Sequence, residues 1–274
     1  MRDLSRPRLL AAFLGLCAVG AVGRVVLDAG ALVPLLGLVA LVLTVTVARA
    51  YKPGDPPRRA WAWLACAAWL AVGGETLHAA IGPGVATALM ALSNATWCAS
   101  LLDARRKIVA GALVPPLARP WRWALVAAVL VGLAVAFQVA SVVRHGSPVY
   151  PAIAGWRLYH LGFVQLCDAV VLVAGVWLLG ALHPLWGGAA ARPFLLVTAA
   201  AGVFATSDLV PLFVGLPLPR LWIRGLIIGG WSLLGVAGLA QLELRRSMFA
   251  RTADLRASLR ALGSQKQGVP RSMP

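Results

Sequence analysis

Read along its length, the chain is a succession of long apolar stretches separated by short segments in which the charges and most of the prolines collect. Crossing a hydrocarbon core of about 30 Å takes about 20 apolar helical residues, and eight stretches are of that order. They run approximately Leu9 to Leu27, Ala29 to Leu43 with an extension to Ala48, Ala60 to Ala80, Gly84 to Leu102, Trp123 to Val143, Trp156 to Leu182, Pro193 to Leu216 and Leu221 to Leu242. The first two are nearly continuous, interrupted only by Arg24, Asp28 and Gly30. A single helix of about 40 residues, rising about 1.5 Å per residue, would overshoot any bilayer, so two spans joined by a tight turn are expected. The pattern predicts an all-α, polytopic integral membrane protein, an eight-helix bundle.

Composition agrees and removes the alternative of a water-soluble globule. Of the 274 residues, 60% are hydrophobic and only 12% charged, against roughly 45–50% and 25% in soluble domains. The formal net charge of +16 would suit nucleic acid if it formed a basic face, but the basic residues sit in loops and tails, with no block of five or six like charges. No nucleic-acid partner is expected. Loop charge facing anionic lipid accounts for the balance.

The same charges orient the bundle. With the N-terminus inside, the inner segments hold Arg2, Arg6 and Arg8; Arg49, Lys52, Arg58 and Arg59; Arg105, Arg106, Lys107, Arg119 and Arg122; Arg192; and seven more after Glu243. Only Arg24, Arg144, Arg157, Arg220 and Arg224 remain outside. Both termini are therefore expected to be cytoplasmic, in a bacterial inner (cell) membrane. The opening MRDLSRPR followed by an apolar run resembles a secretory signal. That run is long for such a signal, however, and its removal would leave seven spans and put the basic tail on the wrong side.

Trp61, Trp63, Trp121, Trp123, Trp156, Trp186 and Trp222 fall at predicted helix ends, where an indole favours the headgroup level. Cys17, Cys66, Cys98 and Cys167 lie singly inside spans without CxxC spacing, which argues against disulfides or a zinc knuckle. Residues 1–244 are assigned to the transmembrane domain and 245–274 to a basic amphipathic cytoplasmic tail. In that tail Met248, Leu255, Leu259 and Leu262 share a face set against anionic inner-leaflet lipid, and the sequence turns disorder-like after Gly263.

Function is sought where polar groups are costly. Arg24 and Asp28, four apart, read as a structural ion pair. Glu75 and His78 share a face of the third span, Ser93, Asn94 and Thr96 lie in the fourth, and His160, Gln165 and Asp168 lie in the sixth. Ser207 and Asp208 lie in the seventh, and Arg220 and Arg224 share a face of the eighth. By depth, Glu75, His78, Asn94, His160, Asp168, Asp208 and Arg224 can meet in one cavity in the outer half of the membrane. Such a cluster can serve carboxylate acid–base catalysis, can bind a metal or haem only weakly in the absence of HxxxH or HExxH pairing, or can simply fix packing by cross-helix hydrogen bonds. No metal and no cofactor are expected. His145 and His183 occupy loop positions. No span contains lysine, and Walker, GxSxG and DxxxD motifs are absent. Gly225 and Gly229 form a GxxxG, a close-packing device within or between chains that opens a route to a homodimer.

The third, fourth, seventh and eighth spans resemble the YhhN-like lysoplasmalogenase family. AVGGETL is similar to that family's third span, with Glu75 at its Asp position, and FATSDLVPLF followed by LPLPR is similar to its F-x-x-S-D segment and proline-containing loop, matching Phe204, Ser207 and Asp208. Asn94 and Trp97 stand where the family has His and Tyr, and Gly229, Gly230 and Trp231 lie where it has paired tyrosines. The resemblance implies hydrolysis of the vinyl ether bond of lysoplasmalogens, with Glu75 and Asp208 catalytic; His78, Asn94, His160, Asp168, Ser207 and Arg224 then become candidate substrate-binding residues and membrane lipid the partner. The competing expectation is a ligand-sensing or regulatory membrane protein signalling through its tail.

Overall fold

The computed structural model describes residue 15, residues 32–111, residues 121–122, 125–126, 128–129 and 132–133, and residues 155–185, 188–213 and 220–267. Within the helices, the side chains of 32, 78–81, 83, 155–162, 208–213, 220–224 and 260–267 are outside the described set. Most of the predicted first and fifth spans lie outside it as well. Among the described residues every regular element is helical and there is no strand.

Helix α1 (Leu32–Ala50) covers the predicted second span. It ends in the turn Lys52-Pro53-Gly54-Asp55, closed by a 3.1 Å bond from Asp55 N to Lys52 O. Gly54, at φ 95°, follows a proline as the third position of a type II turn requires. Asp55 then starts α2 (Pro56–Gly111): its Oδ2 accepts the Lys52 N–H at 2.7 Å, and Pro56 and Pro57 open the helix where a missing N–H costs nothing.

Helix α2 is two antiparallel arms. Gly82, at φ 77° and ψ 161°, sits in a backbone region that is essentially restricted to glycine, and Pro83 starts the returning arm without needing a hydrogen-bond donor. The arms pack closely: Ser93 Oγ donates to Ala67 O at 2.8 Å, and a Cβ on Gly74 would lie 3.5 Å from Ala86 O. The predicted third and fourth spans are thus present as a hairpin.

Helices α3 (Gly155–Leu182) and α4 (Arg192–Phe213) are joined through a short 3-10 turn at His183–Leu185. Helix α5 (Arg220–Gln267) runs through residue 245, where the tail was expected to begin, without a break. At about 1.5 Å per residue its 48 residues exceed a hydrocarbon core by about twofold.

Each element packs on the next, α1 on α2, α2 on α3, α3 on α4 and α4 on α5, and α5 returns to α1, so the packing closes into a ring. Small residues allow the close approach. A Cβ on Gly37 would meet Val72 Cγ2 at 2.6 Å, and one on Gly175 would meet Thr198 Cγ2 at 2.7 Å. Side chains fill the middle: Trp61, Leu101, Leu178, Val197, Trp231 and Leu234 are almost fully buried. Trp61 was expected at the headgroup level. It is buried against the ring of Phe194, with centroids 6.4 Å apart, and both residues lie near the starts of their helices.

Four helical segments, 33–50, 84–111, 163–185 and 225–259, are long and apolar enough to cross a membrane. Large apolar side chains on their outer faces, among them Val42, Leu92, Leu166 and Val170, are more than half exposed. Such a surface suits lipid rather than water. The protein is a membrane protein in contact with lipid.

Candidate functional site

One cavity inside the ring is lined by residues from α2, α3, α4 and α5, and each helix contributes at helical spacing. Ala71 and Glu75 come from the outgoing arm of α2, Ser93, Asn94 and Trp97 from the returning arm, and Asp168 and Val171 from α3. Ala201, Phe204 and Ser207 come from α4, and Ile227 and Trp231 from α5. Intervals of three and four residues keep the side chains of one helix on one face, which is why these positions converge. The cavity holds about 70 Å³. One water needs about 10–15 Å³ on this measure, so there is room for several waters or for one small reacting group and a water.

The polar side is built by sequence-distant residues. Asn94 Nδ2 donates to Asp168 Oδ1 at 2.7 Å, joining the returning arm of α2 to α3 and fixing one carboxylate oxygen. Asp168 is 8% exposed. Ser207 is buried, and its Oγ donates to Phe204 O at 2.6 Å, so the hydroxyl lies back along α4. Glu75 brings a second carboxyl group to the same cavity.

The apolar side is an aromatic stack. Phe204 stands edge-on to Trp97, with centroids 5.8 Å apart and planes at 76°, and edge-on to Trp231 at 5.1 Å and 72°. Offset and edge-to-face geometries of this kind are the favoured ones for ring pairs. Gly230 makes room for the ring: a Cβ there would lie 2.7 Å from Phe204 Cζ.

Of the polar residues singled out in the sequence, Glu75, Ser93, Asn94, Asp168 and Ser207 therefore line one cavity, and Thr96 is buried outside it. His78, His160, Asp208 and Arg224 belong to helices α2, α3, α4 and α5, and their side chains lie outside the described residues. Arg24 and Asp28 also lie outside. Gln165 is buried but does not line the cavity. In the sequence Trp97 and Trp231 stood out only as departures from the lysoplasmalogenase motifs, and the aromatic wall was missed. The signal was there in the spacing, since Trp97 follows Asn94 by three residues and Phe204 precedes Ser207 by three.

Among the described residues no group of three or more His, Cys, Asp or Glu is placed to hold a metal. Cys66, Cys98 and Cys167 are free thiols. In the GxxxG, Gly229 packs toward Val203 Cγ1 of α4, at 3.8 Å from a built Cβ, and Gly225 has nothing within 4 Å. The chain matches no protein-family model, no curated protein and no solved structure.

Proposed function

We propose that the chain is an eight-span protein of a bacterial inner membrane, with both termini cytoplasmic, and that it hydrolyses the vinyl ether bond of lysoplasmalogens in the polar cavity. The observation that carries the reading is the convergence of Glu75, Asn94, Asp168 and Ser207, from four separate helical segments, on one hollow. The similarity of the segments around Glu75 and Phe204 to the lysoplasmalogenase motifs supplies the reaction.

Vinyl ether hydrolysis needs a proton on the outer vinyl carbon and a water on the carbon bearing oxygen. Protonation gives an oxocarbenium ion, water adds and loses a proton, and the hemiacetal collapses to an aldehyde and the free glycerol hydroxyl. A carboxylic acid and a carboxylate suit the two proton transfers when their surroundings separate their proton affinities. Glu75 and Asp208 are assigned these roles. Asp168, tethered by Asn94, stabilises the cationic intermediate, with His78, His160, Ser207 and Arg224 contributing to substrate binding. The cavity takes the reacting bond and a water, and the hydrocarbon chain stays among the lipids.

Lysoplasmalogen turnover by the purified chain tests the reading. Glu75→Gln and Asp208→Asn are each expected to lower kcat by about 10²-fold or more, the usual scale for losing a general acid or base. Full activity in either variant, or none in the unaltered protein, removes the proposal.

A second reading is favoured by one observation: α5 lines the cavity with Ile227 and Trp231 and continues unbroken to Gln267. A ligand that shifts Trp231 would move the tail, as in a sensor. If so, the partners captured by the full chain differ from those captured by a chain ending at Arg246. An identical set excludes it.

A further inference from the structure

A second, larger cavity of about 510 Å³ lies at the other end of the ring, within the range of small-molecule sites. It is walled by the α1–α2 turn, the end of α2, the end of α3, the start of α4 and residues 241–252 of α5. Its lining is mostly apolar, with Ile108, Leu182, Phe194 and Phe249 among the walls. Tyr51, Asp55, Gln241, Arg245 and Thr252 break that lining.

Arg245 is stacked between aromatic rings, its guanidinium carbon 5.4 Å from the centre of Tyr51 and 4.8 Å from that of Phe249. Its Nε is buried with no hydrogen-bond partner. Gln241 is 3% exposed; its Nε2 donates to Tyr51 Oη at 2.6 Å while its Oε1 is buried without a partner. The phenol can donate as well as accept, so the amide can be turned over, yet in both orientations one of its polar atoms is unanswered. Burial pushes the Tyr51 hydroxyl above its usual range, which keeps its proton in place as a donor. The other charged wall, Asp55, already accepts the Lys52 N–H. Buried polar atoms are normally satisfied; the unanswered Arg245 Nε–H and the Tyr51 hydroxyl, whose proton is free while its oxygen accepts from Gln241, are donors at the rim of an apolar hollow arranged for an anionic oxygen with hydrocarbon attached.

Helix α5 indicates where the hydrocarbon runs. At about 100° per residue, Gln241, Leu244, Arg245, Met248 and Thr252 all face the cavity, and Leu255 and Leu259 continue the same stripe beyond it. Met248, Leu255 and Leu259 are about 60% exposed. Arg49, Lys52, Arg58, Arg105, Arg106 and Arg192 lie in the segments that converge on this end, and they supply the field for a negative headgroup. We infer that this cavity is a specific site for an anionic phospholipid, with one acyl chain in the hollow beside Phe249 and its phosphate on Arg245 and the Tyr51 hydroxyl, which Gln241 positions. The site is separate from the polar cavity and does not depend on the reaction proposed there.

The test is native mass spectrometry of the full chain released from nonionic detergent with equimolar palmitoyl lysophosphatidate, palmitoyl lysophosphatidylcholine or inorganic phosphate. Lysophosphatidate is expected to be retained at least about tenfold more strongly than the zwitterionic lipid with the same tail, the scale of a charge-assisted bond to phosphate, and phosphate alone is not retained. Arg245→Gln should abolish the preference. Ala190→Trp, which fills the hollow and keeps every charge, should abolish binding of both lipids, while Asp208→Asn leaves it intact. Equal retention of the two lipids, retention of inorganic phosphate, or undiminished binding in Arg245→Gln and Ala190→Trp would overturn the inference.

Discussion

Gly230 has no side chain, and the ring of Phe204 occupies the space one would take. A Cβ at 230 would lie 2.7–2.9 Å from three ring atoms, and the ring cannot move aside freely because Trp97 and Trp231 both pack against it. Gly230→Ala should therefore lower stability by about 1–3 kcal/mol through overpacking, even though alanine is the better helix former by about 1 kcal/mol. Gly229→Ala is the control. The nearest atom to its Cβ is Val203 Cγ1 at an ordinary 3.8 Å, so it keeps the gain in propensity without the clash. Thermal melts of the two purified variants should move in opposite directions. If they move together, the close fit of Phe204 is not what positions the aromatic wall.

At this scale the sequence was informative about identity and silent about neighbours. Glu75, Asn94, Asp168 and Ser207 stand out because polar groups in apolar helices are rare and costly. The 2.7 Å bond between Asn94 and Asp168 could not be read, since residues 74 positions apart meet only once helix order in space is known. Trp61 shows the same limit: its place at a predicted helix end suggested a depth, and its partner Phe194, far away in sequence, could not be read.

Among the elements, the α2 hairpin was the most legible, because IGPG carries both a stop and a restart. Glycine alone adopts the observed Gly82 geometry easily, and a residue before proline is further pushed to negative φ. Gly82→Ala should cost about 1–3 kcal/mol of backbone strain. Gly84→Ala tests whether the cost is strain rather than crowding: neither glycine has an atom within 4 Å of a built Cβ, and only Gly82 has positive φ. The expected result is a lower melting temperature and weakened protection of the 71–90 amides from hydrogen exchange in Gly82→Ala alone. Equal behaviour of the two variants would mean that the turn is held by the packing of the arms. The end of α5 was less legible. A change from apolar to basic composition near Leu244 reads as a boundary, but helix continuity depends on backbone propensity, and residues 245–267 contain no glycine or proline before Gly263.

For the molecule as a whole, the two cavities define two ends of the ring and make the proposed threading testable. Segments 49–59, 105–108, 182–194 and 241–252, all expected on the cytoplasmic side from their arginines and lysines, contribute walls to the same large cavity or flank its walls directly. The Gly82 turn, the start of α3 and the start of α5 are one helix length away from it. On the eight-span proposal the chain crosses once before α1 and once between residues 111 and 155, which returns both termini to the basic side. Reporter fusions that are active on only one face of the membrane should read cytoplasmic after residues 5, 54, 115, 188 and 255, and external after residues 28, 82, 150 and 217. Positions 54, 82, 188 and 217 test the described helices. Positions 5, 115 and 150 test the two crossings that the count of eight requires. An external reading at 5 with a cytoplasmic reading at 54 would remove the first crossing and leave seven, and matching readings at 115 and 150 would remove the fifth. Either result would break the even number on which a shared side for the basic tail and the N-terminus depends, because the excess of positive charge can be satisfied on one face only if the chain returns to it.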